Sequence, residues 1–306
     1  MKRRILIVYN PNSGIGIPAI IIKKFCEKLK EQGIEADLIF TKRPHHATEI
    51  VKNAEKYDLV YAIGGDGTLN EVVRGDLERQ EKIPVCPFPT GSCNDVAKML
   101  GFKKSLLENL DMALTGDIKE IDIGTVNNNP FTYVIGGGKF LNIPYETSRI
   151  KKSKSGYLAY IKEGIKEFFQ DIKMQKATII ADGKELKDEY SMIMVTNTNH
   201  IAGVSNFYKN IELDDGKLEV FLCKSNNQID LINNFISFYL GGHPKNITTL
   251  KASEISIKLK DFPEKNWCID GEKYQETAKE YYIKTNNKIE FIVPKQKQKN
   301  LFKKNV

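Results

Sequence analysis

The chain lacks any run of about 18 apolar residues, the length a helix needs to cross a bilayer. Its best candidates, Ile15 to Ile22 and Phe235 to Leu240, are too short, so no membrane-spanning helix is expected. The start, Met1-Lys2-Arg3-Arg4, is basic like that of a signal peptide. However, the apolar run that follows, Ile5 to Tyr9, stops after five residues at Asn10-Pro11 and reads as a buried strand. The five cysteines, Cys26, Cys86, Cys93, Cys223 and Cys268, show none of the close pairs of a zinc site or a small disulfide scaffold, which suggests a reducing, cytoplasmic setting. Of the four histidines, His45 and His46 are neighbours and the others stand far apart, leaving no triad or metal pattern built on histidine. Internal repeats, low-complexity tracts, aromatic-basic recognition motifs and helix-turn-helix signatures are missing too, so no nucleic-acid partner is expected.

What is present is ordinary for a folded protein: 41% hydrophobic and 28% charged residues support a real core. At 306 residues the chain exceeds the size at which one core usually keeps growing, so two domains are expected. The net charge of +7 concentrates in Arg149 to Lys154 and in a tail carrying Lys295, Lys297, Lys299, Lys303 and Lys304. Each such cation contributes about 1 kcal/mol near an anionic leaflet, which makes a membrane surface the expected partner. A merely solvated charged face is the plain alternative.

The first 125 residues alternate short apolar runs with helical patterns. Strands are predicted over Ile5 to Tyr9, Ala36 to Phe40, Leu59 to Ile63 and Val85 to Phe88, and helices over Pro18 to Gln32, His46 to Tyr57, Thr68 to Leu77 and Asp95 to Leu100. This order implies a parallel sheet covered by helices, with ligands at the carboxyl ends of the strands. After Ile121-Asp122-Ile123-Gly124 strand-like runs dominate: Phe131 to Ile135, Ala177 to Ala181, Tyr190 to Thr196, Leu218 to Cys223, Glu254 to Leu259, Tyr281 to Ile283 and Ile289 to Val293. Two helices, Tyr157 to Phe169 and Ile229 to Leu240, interrupt a mostly antiparallel sandwich. Asp182-Gly183, Asp215-Gly216 and Asn286-Asn287 each read as a turn between two strands. The division is therefore an α/β nucleotide-binding domain over 1–124 and a β-sandwich substrate domain over 125–293, with the tail 294–306 returning to the first.

Three loops carry chemistry, each at the carboxyl end of a predicted strand: Asn10-Pro11-Asn12-Ser13-Gly14, Gly64-Gly65-Asp66-Gly67-Thr68-Leu69-Asn70-Glu71 and Pro89-Thr90-Gly91-Ser92-Cys93-Asn94-Asp95. Glycines let backbone N–H groups approach a phosphate chain, and the helix that follows favours negative charge at its start. Asp66 could cap that helix, hold Mg²⁺ through water, or both. Neither the Walker ending Gly-Lys-Ser/Thr nor the dinucleotide Gly-x-Gly-x-x-Gly pattern occurs.

Together the three loops resemble those of the diacylglycerol kinase catalytic-domain family, which is related to sphingosine kinases. The resemblance continues through Ile121 to Gly124, Asp215-Gly216-Lys217-Leu218 and Ile269-Asp270-Gly271-Glu272, and so covers essentially the whole chain. It implies a bacterial-type cytoplasmic lipid kinase at the inner face of the membrane. The implied fold is an α/β domain like that of NAD kinases and phosphofructokinases, followed by a β-sandwich. ATP and Mg²⁺ are the implied cofactors, a diacylglycerol-like lipid the acceptor, and a homodimer the implied assembly.

By the same resemblance, Asp270 is the general base on the lipid hydroxyl, with Glu272 beside it. Asn10, Thr41, Gly64, Gly65, Asp66, Gly67, Thr68, Ser92 and Asn94 contact the nucleotide, and Asp66, Asp95 and Asp122 form an acidic network for Mg²⁺. Glu212, Asp215 and the Lys217 carbonyl match a segment where some relatives hold a second Mg²⁺. The chain has Ser92-Cys93 where relatives often carry Thr-Thr or Thr-Gly, which keeps a hydroxyl but alters the nucleotide's neighbourhood. Plain readings stand beside these: a hairpin turn for Asp270-Gly271, a helix cap for Asp95, a strand end for Asp122 and a simple turn at Asp215. Alternative functions are a non-catalytic nucleotide- or lipid-binding module, a kinase for a sphingoid base or isoprenoid alcohol, and an NAD kinase.

Overall fold

A computed structural model of the chain describes residues 3–14, 16–139, 172–201, 204–205, 211–240, 242 and 244–303. The expected helix Tyr157 to Phe169, the basic segment 149–154 and Lys304 lie outside them. Two compact units form, one of residues 1–121 with 287–306 and one of residues 122–286.

The first unit opens β1 Arg4–Tyr9, α1 Ala19–Glu31, β2 Glu35–Phe40, α2 His46–Lys52, β3 Leu59–Gly64, α3 Asp66–Leu77, β4 Val85–Pro89, α4 Asp95–Met99 and α5 Leu106–Thr115. Strands β2, β1, β3 and β4 lie side by side in parallel. Their apolar runs explain the order: β3 is buried at every position and β1 at all but its first, as central parallel strands require. Helix α1 buries Ile22, Phe25 and Leu29, one stripe at helical spacing, and ends where Gly33 takes φ +72°.

Two local details depart from the sequence pattern. Helix α2 stops at Lys52 rather than Tyr57, because its last carbonyls find other donors: Arg79 Nη1 reaches the carbonyls of Val51 (3.1 Å) and Lys52 (3.3 Å). Helix α5 was not predicted, although Ser105 caps it by accepting the Glu108 N–H, a Ser-x-x-Glu start visible in the sequence.

The second unit contains the second half of β5 Asp117–Val126, then β6 Asn129–Phe131, β7 Val134–Gly138, β8 Gln175–Ala181, β9 Lys184–Tyr190, β10 Met192–Thr196, β11 His200–Ile201, β12 Val204–Ser205, β13 Leu218–Cys223, α6 Gln228–Tyr239, β14 Ile247–Ala252, β15 Glu254–Leu259, β16 Cys268–Ile269 and β17 Glu272–Lys273. The chain finishes with β18 Glu280–Val293 and α7 Lys295–Leu301. One sheet runs β14-β13-β10-β7-β16-β17, and β18, β15, β8 and β9 form a second antiparallel face. Strand β15 alternates exposed and buried residues, Glu254, Ser256 and Lys258 outward and Ile255, Ile257 and Leu259 inward, which is the period a half-buried strand requires.

The Asn286-Asn287 turn does not form. Both residues lie inside the 14-residue strand β18, and neither has the left-handed backbone a two-residue turn needs. The reason is that β18 serves both units: Glu280 to Lys284 pair with β15, and Phe291 pairs with Val85 of β4. The first unit therefore takes back residues from 287 onward, α7 included. At Asp182-Gly183 the expected turn does form, with φ of 44° and 83°, and joins β8 to β9. Residues 211–214 are irregular, so the Asp215-Gly216 turn leads into β13 from outside any strand.

The sandwich core joins Ile179, Ile255 and Ile257 of one face to Ile193, Val195 and Val220 of the other. Trp267, fully buried, stacks on Tyr281 with ring centroids 3.8 Å apart and planes 12° from parallel. At Gly137 a Cβ would come within 2.3 Å of the indole Nε1, so β7 needs glycine there to admit the ring. Trp267→Ala should lower the unfolding free energy by about 3–5 kcal/mol, read as a shift of the urea midpoint followed by far-UV circular dichroism. A shift below about 1 kcal/mol would contradict this account of the core.

Candidate active site

The first unit brings its three loops into direct contact through missing side chains. A Cβ on Gly14 would lie 2.0 Å from the Thr90 carbonyl oxygen, and one on Gly91 would lie 2.6 Å from Gly65 Cα. Hydrogen bonds tie the same loops: Thr90 N–H donates to the Gly64 carbonyl at 2.8 Å, Asn10 N–H to the Ile63 carbonyl at 2.9 Å, and Asn10 Nδ2 to Thr68 Oγ1 at 2.9 Å. Thr41 follows β2 and donates its N–H to the Tyr9 carbonyl at 2.9 Å, which sets it beside the end of β1. Asn10, Thr41, Gly64, Gly65 and Thr68 are thus held together at one rim of the parallel sheet.

At that rim α3 begins with Gly65 as its N-cap and no side chain capping it. A Cβ on Gly67 would meet nothing within 4 Å. An uncapped helix start with open space beside it suits an anion, because N–H groups and the helix dipole both favour negative charge there.

Asp66 does not cap its own helix. Its carboxylate accepts the N–H of Asn94 and of Asp95, each at 2.7 Å, and so caps α4. Asp95, the expected cap, is instead the buried first residue of α4. Asn94 takes left-handed backbone, φ 55°, and its side chain closes on Gly91: Oδ1 accepts the Gly91 N–H at 2.9 Å, and Nδ2 donates to the Gly91 carbonyl at 2.8 Å. Half-buried Ser92 and buried Cys93 sit inside this closed turn.

Asp122 lies within β5 rather than at a strand end, and it belongs to the second unit. Its Oδ2 accepts the Gly216 N–H at 2.6 Å, and its own N–H donates to the Leu213 carbonyl at 2.8 Å. Asp215, in the same turn, accepts the Lys217 N–H at 3.0 Å and Lys251 Nζ at 2.8 Å. Lys251 also stands 3.5 Å from Glu219 Oε1. Both Glu219 oxygens are buried without a hydrogen-bond partner among the described residues. Among the described residues no three His, Cys, Asp or Glu side chains lie close enough to hold a metal ion by direct ligation alone.

Asp270 and Gly271 form the tight turn between β16 and β17, with φ of 48° and 78°. The Asp270 carboxylate is nevertheless more than a turn residue. Its Oδ2 accepts the Thr132 N–H (2.6 Å) and Oγ1–H (2.8 Å), and its Oδ1 accepts the N–H of Tyr133 (2.9 Å) and Val134 (3.1 Å). Burial raises the Asp270 pKa above its ordinary value, and these donors offset that only in part. Because all four groups donate, the cradle is built for the ionised acceptor. Glu272 is exposed on β17.

Thr132, Lys251 and Glu219 were missed in the sequence. Glu219 alone left a signal, a charge in the middle of the apolar strand Leu218–Cys223.

Comparison with known proteins follows the same two-part plan. Residues 4–126 match the model of the diacylglycerol kinase catalytic domain, and residues 145–286 match the YegS C-terminal NAD kinase beta sandwich-like domain. Diacylglycerol kinase of Bacillus subtilis (strain 168) is 29% identical over 304 residues, 98% of this chain and 99% of that protein. Diacylglycerol kinase of Staphylococcus aureus (strain JH9) is 30% identical over 274 residues, 89% of this chain and 87% of that protein. A crystal structure of a diacylglycerol kinase from Bacillus anthracis str. Sterne shares the fold, with a TM-score of 0.76 at 23% identity over 96% of this chain and 98% of that one.

Burial holds Glu219 up to about 8, against an ordinary value of 4.5, and Lys251 only partly offsets this. The folded chain therefore keeps a proton that the unfolded chain releases. The stability this gives is full below 4.5 and is lost as pH rises through about 8. In Glu219→Gln the loss should disappear, so its melting temperature should fall less than that of wild type between about pH 5.5 and about pH 8.5. Parallel melting curves would show that Glu219 is ionised throughout.

Proposed function

Because this chain belongs to the diacylglycerol kinase family and is a lipid kinase, we propose that it transfers the γ-phosphate of ATP, with Mg²⁺, to the hydroxyl of diacylglycerol. The observation that carries the reading is the contact of three glycine loops around the uncapped start of α3. That arrangement offers backbone N–H groups to a phosphate chain, with Asn10, Thr41, Gly67, Thr68, Ser92 and Asn94 around it.

In this reading the glycine loops grip the triphosphate and Asp270 acts as the base. The lipid oxygen attacks the γ-phosphorus, the bond to the departing ADP breaks, and the hydroxyl proton passes to Asp270. The carboxylate suits this role if one donor yields: three of its partners are backbone amides, but Thr132 Oγ1 sits on a rotatable side chain. Turning that hydroxyl away frees a lone pair on Oδ2 while the amides keep the carboxylate aimed. Glu272 lies just past the turn and adds negative charge nearby.

Asp66, Asp95 and Asp122 would hold Mg²⁺ through water, as this cation prefers, and the metal would neutralise phosphate charge. Asp66 is already aimed by one amide at each oxygen, both at 2.7 Å. A second Mg²⁺ at Glu212, Asp215 and the Lys217 carbonyl does not fit, because Asp215 is already neutralised by Lys251. We read that segment as a turn. Docking on an anionic membrane is supported by Lys295, Lys297 and Lys299, all exposed on α7 above buried Leu301 and Phe302.

Purified protein with ATP and Mg²⁺ should phosphorylate diacylglycerol in preference to monoacylglycerol, a sphingoid base, an isoprenoid alcohol or NAD. Asp270→Asn should lower kcat by about 10²- to 10⁴-fold, the range of general-base catalysis. An inert lipid panel, or equal rates for the variant, would defeat the reading. Binding to anionic liposomes should weaken as salt rises, because exposed charge is screened over about 10 Å at 0.1 M. Salt-independent sedimentation with the liposomes would rule out the lysine contact.

A further inference from the structure

Two candidate carboxylates of the second unit, Asp122 and Asp270, are far apart in sequence, and one side chain stands between their supports. Asn197, directly after β10, donates from Nδ2 to the Asp122 carbonyl at 2.7 Å and from its backbone N–H to the Tyr133 carbonyl at 2.9 Å. Thr196 Oγ1 donates to that same Tyr133 carbonyl at 2.6 Å. Tyr133 in turn sends its N–H to Asp270 Oδ1, flanked by the donors of Thr132 and Val134. The return contact is made as well, since the Asp270 N–H donates to the Val134 carbonyl at 2.9 Å.

Asn197 is 1% exposed, so water does not compete for these bonds. Chemistry fixes its orientation, because only the NH₂ group can face a carbonyl oxygen at 2.7 Å. The consequence is that Oδ1 is buried with no hydrogen-bond partner among the described residues. A buried orphan acceptor costs stability, so a residue placed merely to satisfy the core would not be an asparagine in this pose. A leucine of similar size would remove that orphan only by giving up the bond to the Asp122 carbonyl, so it is this bond that the asparagine keeps.

We propose that Asn197 is a positioning residue that ties the backbone of Asp122 to the 132–134 segment cradling Asp270, so that both carboxylates keep one fixed geometry. This rests on reading Asp122 and Asp270 as site residues. Asn197 touches neither carboxylate group; it acts through the carbonyls of Asp122 and Tyr133.

The test uses the full chain, with Asn197→Leu and Asn197→Asp, the second nearly identical in size but turning an acceptor toward the Asp122 carbonyl. With ATP, Mg²⁺ and diacylglycerol in mixed micelles, kcat should fall about 10- to 100-fold, as expected for sub-ångström misplacement. KM for ATP should stay within about 2-fold, because the nucleotide loops belong to the other unit. Hydrogen exchange at Thr132, Tyr133 and Val134 should quicken by about 10-fold while β8 and β15 keep their protection. Either folded variant showing wild-type kcat, wild-type exchange at 132–134, or a general loss of protection across the sandwich overturns the proposal. If the leucine variant fails to fold, the aspartate variant gives the reading. If wild type phosphorylates no lipid, the function reading fails while the exchange comparison still decides the role of Asn197.

Discussion

The contact between Gly65 and Gly91 is the constraint on which the nucleotide half of the molecule depends. Two backbones meet where a single added methyl would lie 2.6 Å from a Cα atom, and Gly14 meets Thr90 more closely still. No side chain could make these approaches, so three loops that leave three different strands become one surface. The rest of the rim follows from that closeness. Asp66 can reach the amides of Asn94 and Asp95 only because the loops touch, and by doing so it fixes the start of α4.

The second unit solves a similar problem by opposite means. There a charged group is placed through backbone: Asp270 is aimed by four donors from three consecutive residues, while Asp122 Oδ2 accepts the Gly216 amide and the Asp122 N–H donates to the Leu213 carbonyl. Each carboxylate is bound into backbone, whose atoms are far less free to wander than side chains. Neighbouring Glu219 and Lys251 show the other outcome of burial. A carboxylate without amide donors is driven toward its neutral form, and the lysine pairs with Asp215 instead.

Much of this architecture was legible in the sequence because its signals are local. The unbroken apolar runs of β1 and β3, the glycine loops after them and the alternation along β15 each announce their structure within a few residues. What was not legible depends on partners remote in sequence. Asp66 reads as a cap for its own helix, yet its amides come from Asn94 and Asp95. Asp270-Gly271 reads as a turn, which it is, but the donors from 132–134 that make it a candidate base leave no trace around position 270. Asn286-Asn287 carries turn chemistry and forms no turn, because pairing with β15 on one side and β4 on the other overrides local preference.

Strand β18 has a consequence for how the protein is made. The parallel sheet of the first unit ends at β4 until residues near Phe291 arrive to pair with Val85. During synthesis the ribosome must therefore deliver the whole sandwich sequence before the N-terminal sheet can be completed. Throughout that interval β4 presents an open edge of unpaired amides and carbonyls, a template for association with other nascent chains. A unit that begins the polypeptide is thus among the last to be finished.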